Sequence, residues 1–496
     1  MFGSWVSSGA WRLVLGIFLL FATLLFMLLP VITVPQMREW ERATWATGQT
    51  EAEVIRRVGK RLARRARRLT ADGDRILILA GKGHNGDDAR AAAKQIEDRR
   101  VDLMEVFLPQ SDLLQIEMAL QKNPSLIVDG LFGLGLNRQL GEPWQKIIAV
   151  INASKIRVLS VDVPSGLNAD TGEMFGAAIR ATVTLTVGAP KIGMLAASAG
   201  PFVGRLEVAD DVGLIPCPHT ADLNWLMPDD FLNFPPAREV AANKGDFGHL
   251  TLVAGSKSFH GAAVLATRGA QRAQPGLVTV FVPGDIYSPV AAQLQAAMVR
   301  VWKKKMSLPE KTSAVLIGPG LAAKEIAAAA KKFTQQIWRA AKVPVVVDAS
   351  ALDFLAAENF PADAVRVLTP HPGEAARLLG TTAQNVQANR VESLRALSKK
   401  FGHCWVVLKG HQTLIGRSTG KVFVNSSGNP QLAQGGSGDL LAGFLAGLLA
   451  QPALQTDLEK TLACAVWQHG AAADELSASR KNWTVEDLAS AIGNAA

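Results

Sequence analysis

Cysteine is scarce. Cys217, Cys404 and Cys464 are the three in 496 residues, and they lie far apart. So spaced, they build neither a disulfide framework nor a cysteine zinc site, and a reducing compartment is the expectation. No His/Cys group has metal-ligand spacing. Internal repeats and low-complexity tracts are missing as well. With 48% hydrophobic and 19% charged residues, what remains is a globular chain of two to four ordinary domains.

Acidic residues are missing from one stretch. Arg56 to Arg68 holds eight basic residues and no acid, a large share of the net charge of +9. Arg57, Lys60, Arg61, Arg64, Arg65 and Arg68 recur at helical spacing opposite Val54, Val58, Leu62 and Leu69, within a helical stretch from Pro35 to Leu69. A solvated helix face is the simplest reading, with no nucleic-acid partner. A membrane-surface or nucleic-acid patch competes with it.

Charge is also absent from Leu13 to Val34, 22 residues that could cross a bilayer. No small-residue cleavage site follows, and the basic segment downstream would keep the rest on the cytoplasmic side. Two readings stay open. Residues 13–34 tether a cytoplasmic protein to the inner face of the membrane, or residues 1–26 extend a chain whose first domain starts at Met27.

Beyond these gaps the chain alternates strands and helices. Arg75–Ala80 is a short apolar strand, followed by the turn Gly81-Lys82-Gly83-His84-Asn85-Gly86-Asp87-Asp88 and a helix from Ala89. Ser125–Asp129 ends in an acid before a glycine-rich turn, and Arg157–Asp162 ends in an acid before Val163-Pro164-Ser165-Gly166. This is the opening of a doubly wound sheet, with ligands expected at the strand ends. The oxygen-rich set Asn85, Asp129 and Ser165 suits a hard cation.

Ile215–Pro218 and Phe234–Pro236 bracket a stretch without periodicity, the expected linker (216–243). Expected strands then end in Gly255, Gly318-Pro319-Gly320, Asp348, Pro370-His371-Pro372 and Lys409, which describes a second open α/β sheet. The turn Gly435-Gly436-Ser437-Gly438 feeds an uncharged helix with Asp439 in its first turn. Free N–H groups and the helix dipole make such a turn a phosphate site. Lys409 and residues 435–438 would together cradle a donor's phosphates, His371 would hydrogen-bond an acceptor, and Asp439 would deprotonate the acceptor hydroxyl.

The motifs GKGHNGDD, DGLFGLGL, VDVPSGLNADTG and ATVTLTVGAPK resemble the epimerase domain of the bifunctional NAD(P)H-hydrate repair enzymes. KGDFGH, FHGAA, GPGL, TPHPGEAARLLG, VVLKG, the GGSGD turn and Trp467-Gln468-His469-Gly470 resemble, in order, the dehydratase domain of the same family. The resemblance implies a Rossmann-like first domain (35–215) and a ribokinase-like second one (244–496). It implies epimerisation of the R and S hydrates of NADH and NADPH at carbon 6, then dehydration of the S form with ADP as phosphoryl donor and magnesium on its phosphates. By position it gives His84, Asn85, Gly86, Asp87, Asp88, Gly133, Leu134, Gly135, Leu136, Asn137, Arg138 and Gln139 to the epimerase substrate. Asp162 becomes the acid/base, and Asn85, Asp129 and Ser165 surround a potassium ion. Ala262, Gly320, His371 and Asp439 would contact the hydrate in the second domain, while Lys409, Gly410, His411, Gln412, Thr413 and Gly438 would contact the nucleotide. A homo-oligomer is expected.

The first turn departs from the family's Gly-x-Gly-Asn-Asn-Gly-Gly-Asp-Gly at His84, Asp87 and Ala89. The Asp87 carboxylate would repel a phosphate-bearing substrate, and a Cβ at Ala89 would be strained if that site needs positive φ. Reduced epimerase activity is therefore expected. Two competing functions remain at this stage, a ribokinase-type small-molecule kinase using Asp439 and a membrane-tethered dinucleotide-binding regulator.

Overall fold

Two sheets organise the chain in the computed structural model, which describes residues 28–303, 306–322, 324–357, 360 and 363–495. Its strands are β1 (Leu29–Pro30), β2 (Arg75–Ala80), β3 (Arg100–Glu105), β4 (Leu126–Gly130), β5 (Val158–Val161), β6 (Val183–Val187), β7 (Arg205–Ala209), β8 (Leu223–Trp225), β9 (His249–Val253), β10 (Leu277–Val282), β11 (Met298–Val301), β12 (Ala314–Ile317), β13 (Val345–Val347), β14 (Arg366–Leu368), β15 (Trp405–Leu408), β16 (Leu414–Gly416) and β17 (Val422–Val424).

The first sheet is parallel throughout, in the order β3-β2-β4-β5-β6-β7. Its inner strands are continuous apolar runs because both faces are covered. Helices Glu51–Leu69 and His84–Ala93 cover one face, and helices Pro109–Gln121 and Glu142–Ala153 the other. From β2 the chain goes to β3 on one side and returns to β4 on the other, so the order reverses between β2 and β4. At such a reversal the carboxyl ends diverge and leave a crevice.

The basic helix sits on this sheet with much of its charge matched. Arg56 and Arg57 pair with Glu53, Arg61 with Asp210 and Asp211, Arg65 with Glu207, and Arg67 with Asp98. The expected single helix from Pro35 to Leu69 is two helices, Val34–Trp45 and Glu51–Leu69. The chain breaks between them around Gly48, whose φ of 91° no helix accepts.

Much of the apolar run from Leu13, up to Met27, lies outside the described residues. Its end does not. β1 pairs antiparallel with β8, Ile32 bridges to Lys191, and Val34 N–H donates to Asp170 Oδ1 at 2.7 Å. Val31 and Ile32 are buried. A tether running from 13 to 34 is thereby corrected, because residues 29–34 are spent wedging the two sheets together. Among the described residues no helix is long and apolar enough to cross a membrane.

The second sheet has the order β1-β8-β17-β16-β15-β14-β13-β12-β9-β10-β11. It is parallel from β15 to β11, and β16 pairs antiparallel with both β15 and β17. β8 comes from the stretch expected to lack regular structure; three residues are too few to show a period. The order reverses again, between β9 and β12. Behind the sheet, the uncharged run forms helix Ser437–Leu449, packed against helix His260–Arg272. Glycines allow that approach: a Cβ on Gly443 would stand 1.9 Å from Ala266 O, and one on Gly269 2.2 Å from Leu440 O. The expected α/β class holds, with a Rossmann-like first sheet and a layered α/β second domain. Arg205 on β7 pairs with Asp474 of the second domain at 2.9 Å.

Candidate active sites

The first crevice is built around the start of one helix. Gly81-Lys82-Gly83 suffices for the turn, and the helix begins at His84, five residues before the expected Ala89, with Gly83 as N-cap. His84, Asn85, Gly86, Asp87 and Asp88 thus form its first turn, where unpaired N–H groups collect. Asn85 Nδ2 donates to Phe132 O at 3.0 Å and Val161 O at 2.6 Å. Ser165 Oγ donates to Asp129 Oδ1 at 2.5 Å and accepts from Phe132 N–H at 2.9 Å. Asn85, Asp129 and Ser165 therefore gather about Phe132, as the strand-end rule anticipates. Burial raises the Asp129 carboxyl while its bonds from Ser165, Ser160 and the Leu131 N–H pull against that.

Asp162 follows β5 in a left-handed conformation, φ 58°, which a residue with a Cβ holds only when its surroundings over-determine it. They do. Its Oδ1 accepts from Lys191 Nζ at 2.6 Å, Thr186 Oγ1 at 2.9 Å and Val187 N–H at 2.9 Å, and Lys191 is wholly buried. Asp88 is buried, and its carboxyl is pushed well up by that burial and by the charges of Asp162 and Asp87. Gly133 presses on Asn85, where a Cβ would come within 2.1 Å of Oδ1. The rest of that loop is looser: Leu134 and Leu136 are half-buried, and Gly135, Asn137, Arg138 and Gln139 stand exposed.

Of the two costs expected of the altered turn, the backbone strain does not arise and the charge is met by an ion pair. Asp87 is tied to Arg90, Nη1 to Oδ1 at 2.9 Å, a guanidinium it shares with Glu105, so its charge is partly compensated one helical turn away. Ala89 is an ordinary buried helical residue and carries no positive φ. His84 is exposed and pairs with Glu51.

The second site lies where β12 to β15 end and helix Ser437–Leu449 begins. Gly320, at φ 69°, lies against Ala262; a Cβ on it would be 2.9 Å from that of Ala262. His371 is the N-cap of helix Pro372–Leu379: its Nδ1 accepts from Gly373 and Glu374 N–H at 3.0 and 3.3 Å, while Glu374 Oε2 takes the His371 N–H at 2.8 Å. The ring is thereby fixed with its side chain half exposed. Lys409 Nζ donates to Asp348 Oδ1 at 2.8 Å, and a Cβ on Gly438 would stand 3.4 Å from it, so the ammonium lies beside the helix start. Burial works against the Lys409 charge, but Asp348, Glu374 and Asp439 outweigh it and hold its pKa up.

Asp439 is pushed up to about 7, first by burial, then by Asp348, with Lys409 opposing and Glu374 adding. Gly436, at φ 93°, caps the helix. Gly435 has open space around it, and Ser437 is held by His469, which burial drives down to about 4 and so keeps neutral. Gly410 (φ 135°) and Gln412 (φ 51°) shape the turn after β15, Thr413 Oγ1 closes on Gly410 O at 3.0 Å, and burial lowers His411.

Several residues of these sites went unnoticed in the sequence. Lys191 stands in ATVTLTVGAPK, but nothing local says that its ammonium reaches Asp162. Asp348 was legible as a strand end, as Asp129 and Asp162 were, but not as the partner of Lys409. Glu374 is three residues after His371, the spacing of a capping box. Arg390 left no signal: its Nη2 donates to Leu408 O and Gln412 O at 3.2 and 3.3 Å, bracing the turn that carries Lys409, and burial lowers it to about 10.

Comparison with known proteins agrees with this layout. The family profile described as NAD(P)H-hydrate dehydratase matches residues 250–494, and that of the YjeF-related protein N-terminus matches 104–193. The bifunctional NAD(P)H-hydrate repair enzyme of Gloeobacter violaceus is 34% identical over 92% of this chain and 96% of its own. That of Moorella thermoacetica is 35% identical over 82% of this chain and 84% of its own. Among solved structures, an ADP/ATP-dependent NAD(P)H-hydrate dehydratase from Bacillus subtilis, co-crystallised with ATP and Mg2+, is 30% identical and covers 53% of this chain and 94% of its own, with a TM-score of 0.48. The chain belongs to the family of bifunctional NAD(P)H-hydrate repair enzymes.

Proposed function

We propose that the chain restores hydrated NADH and NADPH in two steps, epimerising the R and S hydrates in the first crevice and dehydrating the S hydrate at the Asp439 site with ADP as phosphoryl donor. The observation that carries the second step is the placement of Asp439, half-buried in the first turn of a glycine-capped helix beside the Lys409 ammonium. A carboxylate with a pKa near 7 is a competent base at neutral pH. It takes the proton of the carbon-6 hydroxyl as that oxygen attacks the terminal phosphoryl group of ADP, and AMP leaves. Loss of phosphate from carbon 6, together with a proton from carbon 5 that passes to solvent, then forms the C5=C6 double bond and regenerates the dihydronicotinamide. Lys409 and the N–H groups of Gly436 and Gly438 hold the phosphates, and Ala262, Gly320 and His371 line the hydrate side. Magnesium, when bound with the nucleotide, supplies charge neutralisation on the phosphates.

In the first crevice Asp162 moves the proton, with Lys191 holding it in place between turnovers. Asp129 and Ser165 present oxygens beside the Phe132 peptide, and Asn85 turns its Nδ2 to Phe132 O and its Oδ1 toward Gly133; potassium, if held by this set, would add a positive charge to the crevice. Residues 35–215 and 244–496 carry the two activities. The setting we assign is the cytoplasm, where three unpaired cysteines persist.

The test supplies purified chain with mixed R and S NADH hydrates, ADP and magnesium, and follows the return of dihydronicotinamide absorbance. Recovery of the whole mixture, abolished in Asp439→Asn, is the expected result. No recovery with ADP or ATP would sink the dehydratase, and recovery that stops at the S fraction would sink the epimerase.

A further inference from the structure

The first sheet lays out its crevice as a row. From the edge inward the strands are β3, β2, β4 and β5, and each carboxyl end carries a different group. β5 leads to Asp162, β4 to the Gly133–Gln139 loop, and β2 to the helix start at His84. A dinucleotide with its damaged ring at Asp162 and its diphosphate at the helix start has its adenosine over β3.

What stands there is Glu105, the last residue of β3, with Phe107 two residues on. Glu105 follows the glycine turn by about twenty residues, the position from which an acid accepts a hydrogen bond from a ribose 2′-hydroxyl in doubly wound nucleotide-binding sheets. Phe107 is half-buried. Lys82 Nζ and Arg90 Cζ lie over its ring, 5.8 and 5.7 Å from the centroid, so a base stacking on this ring would meet two cations.

Arg90 decides which ribose fits. Nearby arginine is what accommodates a 2′-phosphate in such sheets, but this guanidinium is already committed. Its Nε donates to Glu105 Oε1 at 2.9 Å, Nη1 to Asp87 Oδ1 at 2.9 Å, and Nη2 to Gly81 O at 2.8 Å. Two carboxylates neutralise it, and one of them faces the position where a 2′-phosphate would sit. Asp87, a departure from the family's turn, is half of that arrangement.

We propose that Glu105, Arg90 and Phe107 form the adenosine subsite of the first domain, and that it selects the free 2′-hydroxyl, so that NADH hydrate is epimerised in preference to NADPH hydrate. The proposal rests on the epimerase reading. Its test therefore has one arm that needs no turnover. In the first arm, epimerisation of each hydrate is measured without ADP in the full chain. Glu105→Gln is expected to raise the kcat/KM ratio of NADPH hydrate to NADH hydrate by about three- to ten-fold, and Asp87→Gly with Glu105→Gln to raise it further, since like-charge repulsion at a partly exposed site is worth that much.

In the second arm, an NAD analogue with an 8-azidoadenine is photolysed on the full chain and the labelled peptide identified. The expected label falls within residues 105–108. An unmoved ratio in both variants, or a label confined to other segments, overturns the subsite. Labelling at 105–108 in a chain that epimerises neither hydrate supports the subsite and instead removes the epimerase reading.

Discussion

The two sites solve the problem of a working carboxylate in opposite ways. Asp162 is saturated: one oxygen takes three hydrogen bonds, one from a buried ammonium, and the backbone is strained to place it. Asp439 is starved. Its carboxylate accepts no hydrogen bond among the described residues, it is half-buried near two other carboxylates, and only Lys409 favours its charge. The difference matches the chemistry we propose for each site. A base that acts on a hydroxyl during phosphoryl transfer needs proton affinity near neutrality, and burial beside like charges provides it. An acid/base that works on a ring inside a crevice needs fixed geometry, and a network of donors provides that.

Breaking the starved site should have the largest effect. Asp439→Asn is expected to lower ADP-dependent recovery from the S hydrate by about 10²- to 10⁴-fold, with epimerisation of the R hydrate, followed without ADP, unchanged. Parallel loss of both activities would show that the two sites are not independent.

Next comes the saturated site. Lys191→Met leaves the Asp162 carboxylate buried without its cation, an expected cost of about 3–5 kcal/mol in urea unfolding, with loss of epimerisation. Adding Asp162→Asn should restore most of the stability, since a neutral pair no longer carries an unpaired buried charge, and should leave epimerisation absent. If Lys191→Met alone unfolds normally, the ion pair is not what holds Asp162.

A smaller effect separates the two sites by pH. Asp439 acts only when ionised, so kcat/KM of the dehydratase step should fall about tenfold per pH unit below about 7. The linked stability effect has the reverse sense. With the folded pKa raised above the ordinary 3.8, the native state holds a proton that the unfolded chain has released, so stability falls as pH rises through the interval between those values. Asp439→Asn removes that loss and should be more stable than the parent above pH 7, with the two converging below pH 4. A variant no more stable above pH 7 would mean that Asp439 titrates normally.

Much of both sites was legible because strand ends announce themselves. Three apolar runs ending in Gly81, Asp129 and Asp162 located the first crevice, and the GGSGD turn located the second. What escaped was long-range. Lys191 reaches Asp162 across 29 positions, Arg390 braces a turn 18 to 22 residues away, and no local pattern encodes such a contact. The tether reading failed at residues 29–34 for a related reason. A short buried strand and a membrane segment are both apolar, and only the partner, here β8, tells them apart.

The smallest expected effect tests the correction at the altered turn. From the sequence, Asp87 should impede a phosphate-bearing substrate; in the structure Arg90 takes up its charge. Asp87→Gly, which restores the family's residue, should therefore change the epimerisation of NADH hydrate by no more than about twofold, as expected for a partly exposed pair worth under about 1 kcal/mol. Arg90→Ala should be worse than Asp87→Gly, because it leaves two carboxylates, Asp87 and Glu105, uncompensated at the rim. The double variant should recover part of that loss. If Asp87→Gly instead speeds epimerisation many-fold, the carboxylate repels substrate despite its partner, and the compensation seen in the ion pair does not extend to the dinucleotide.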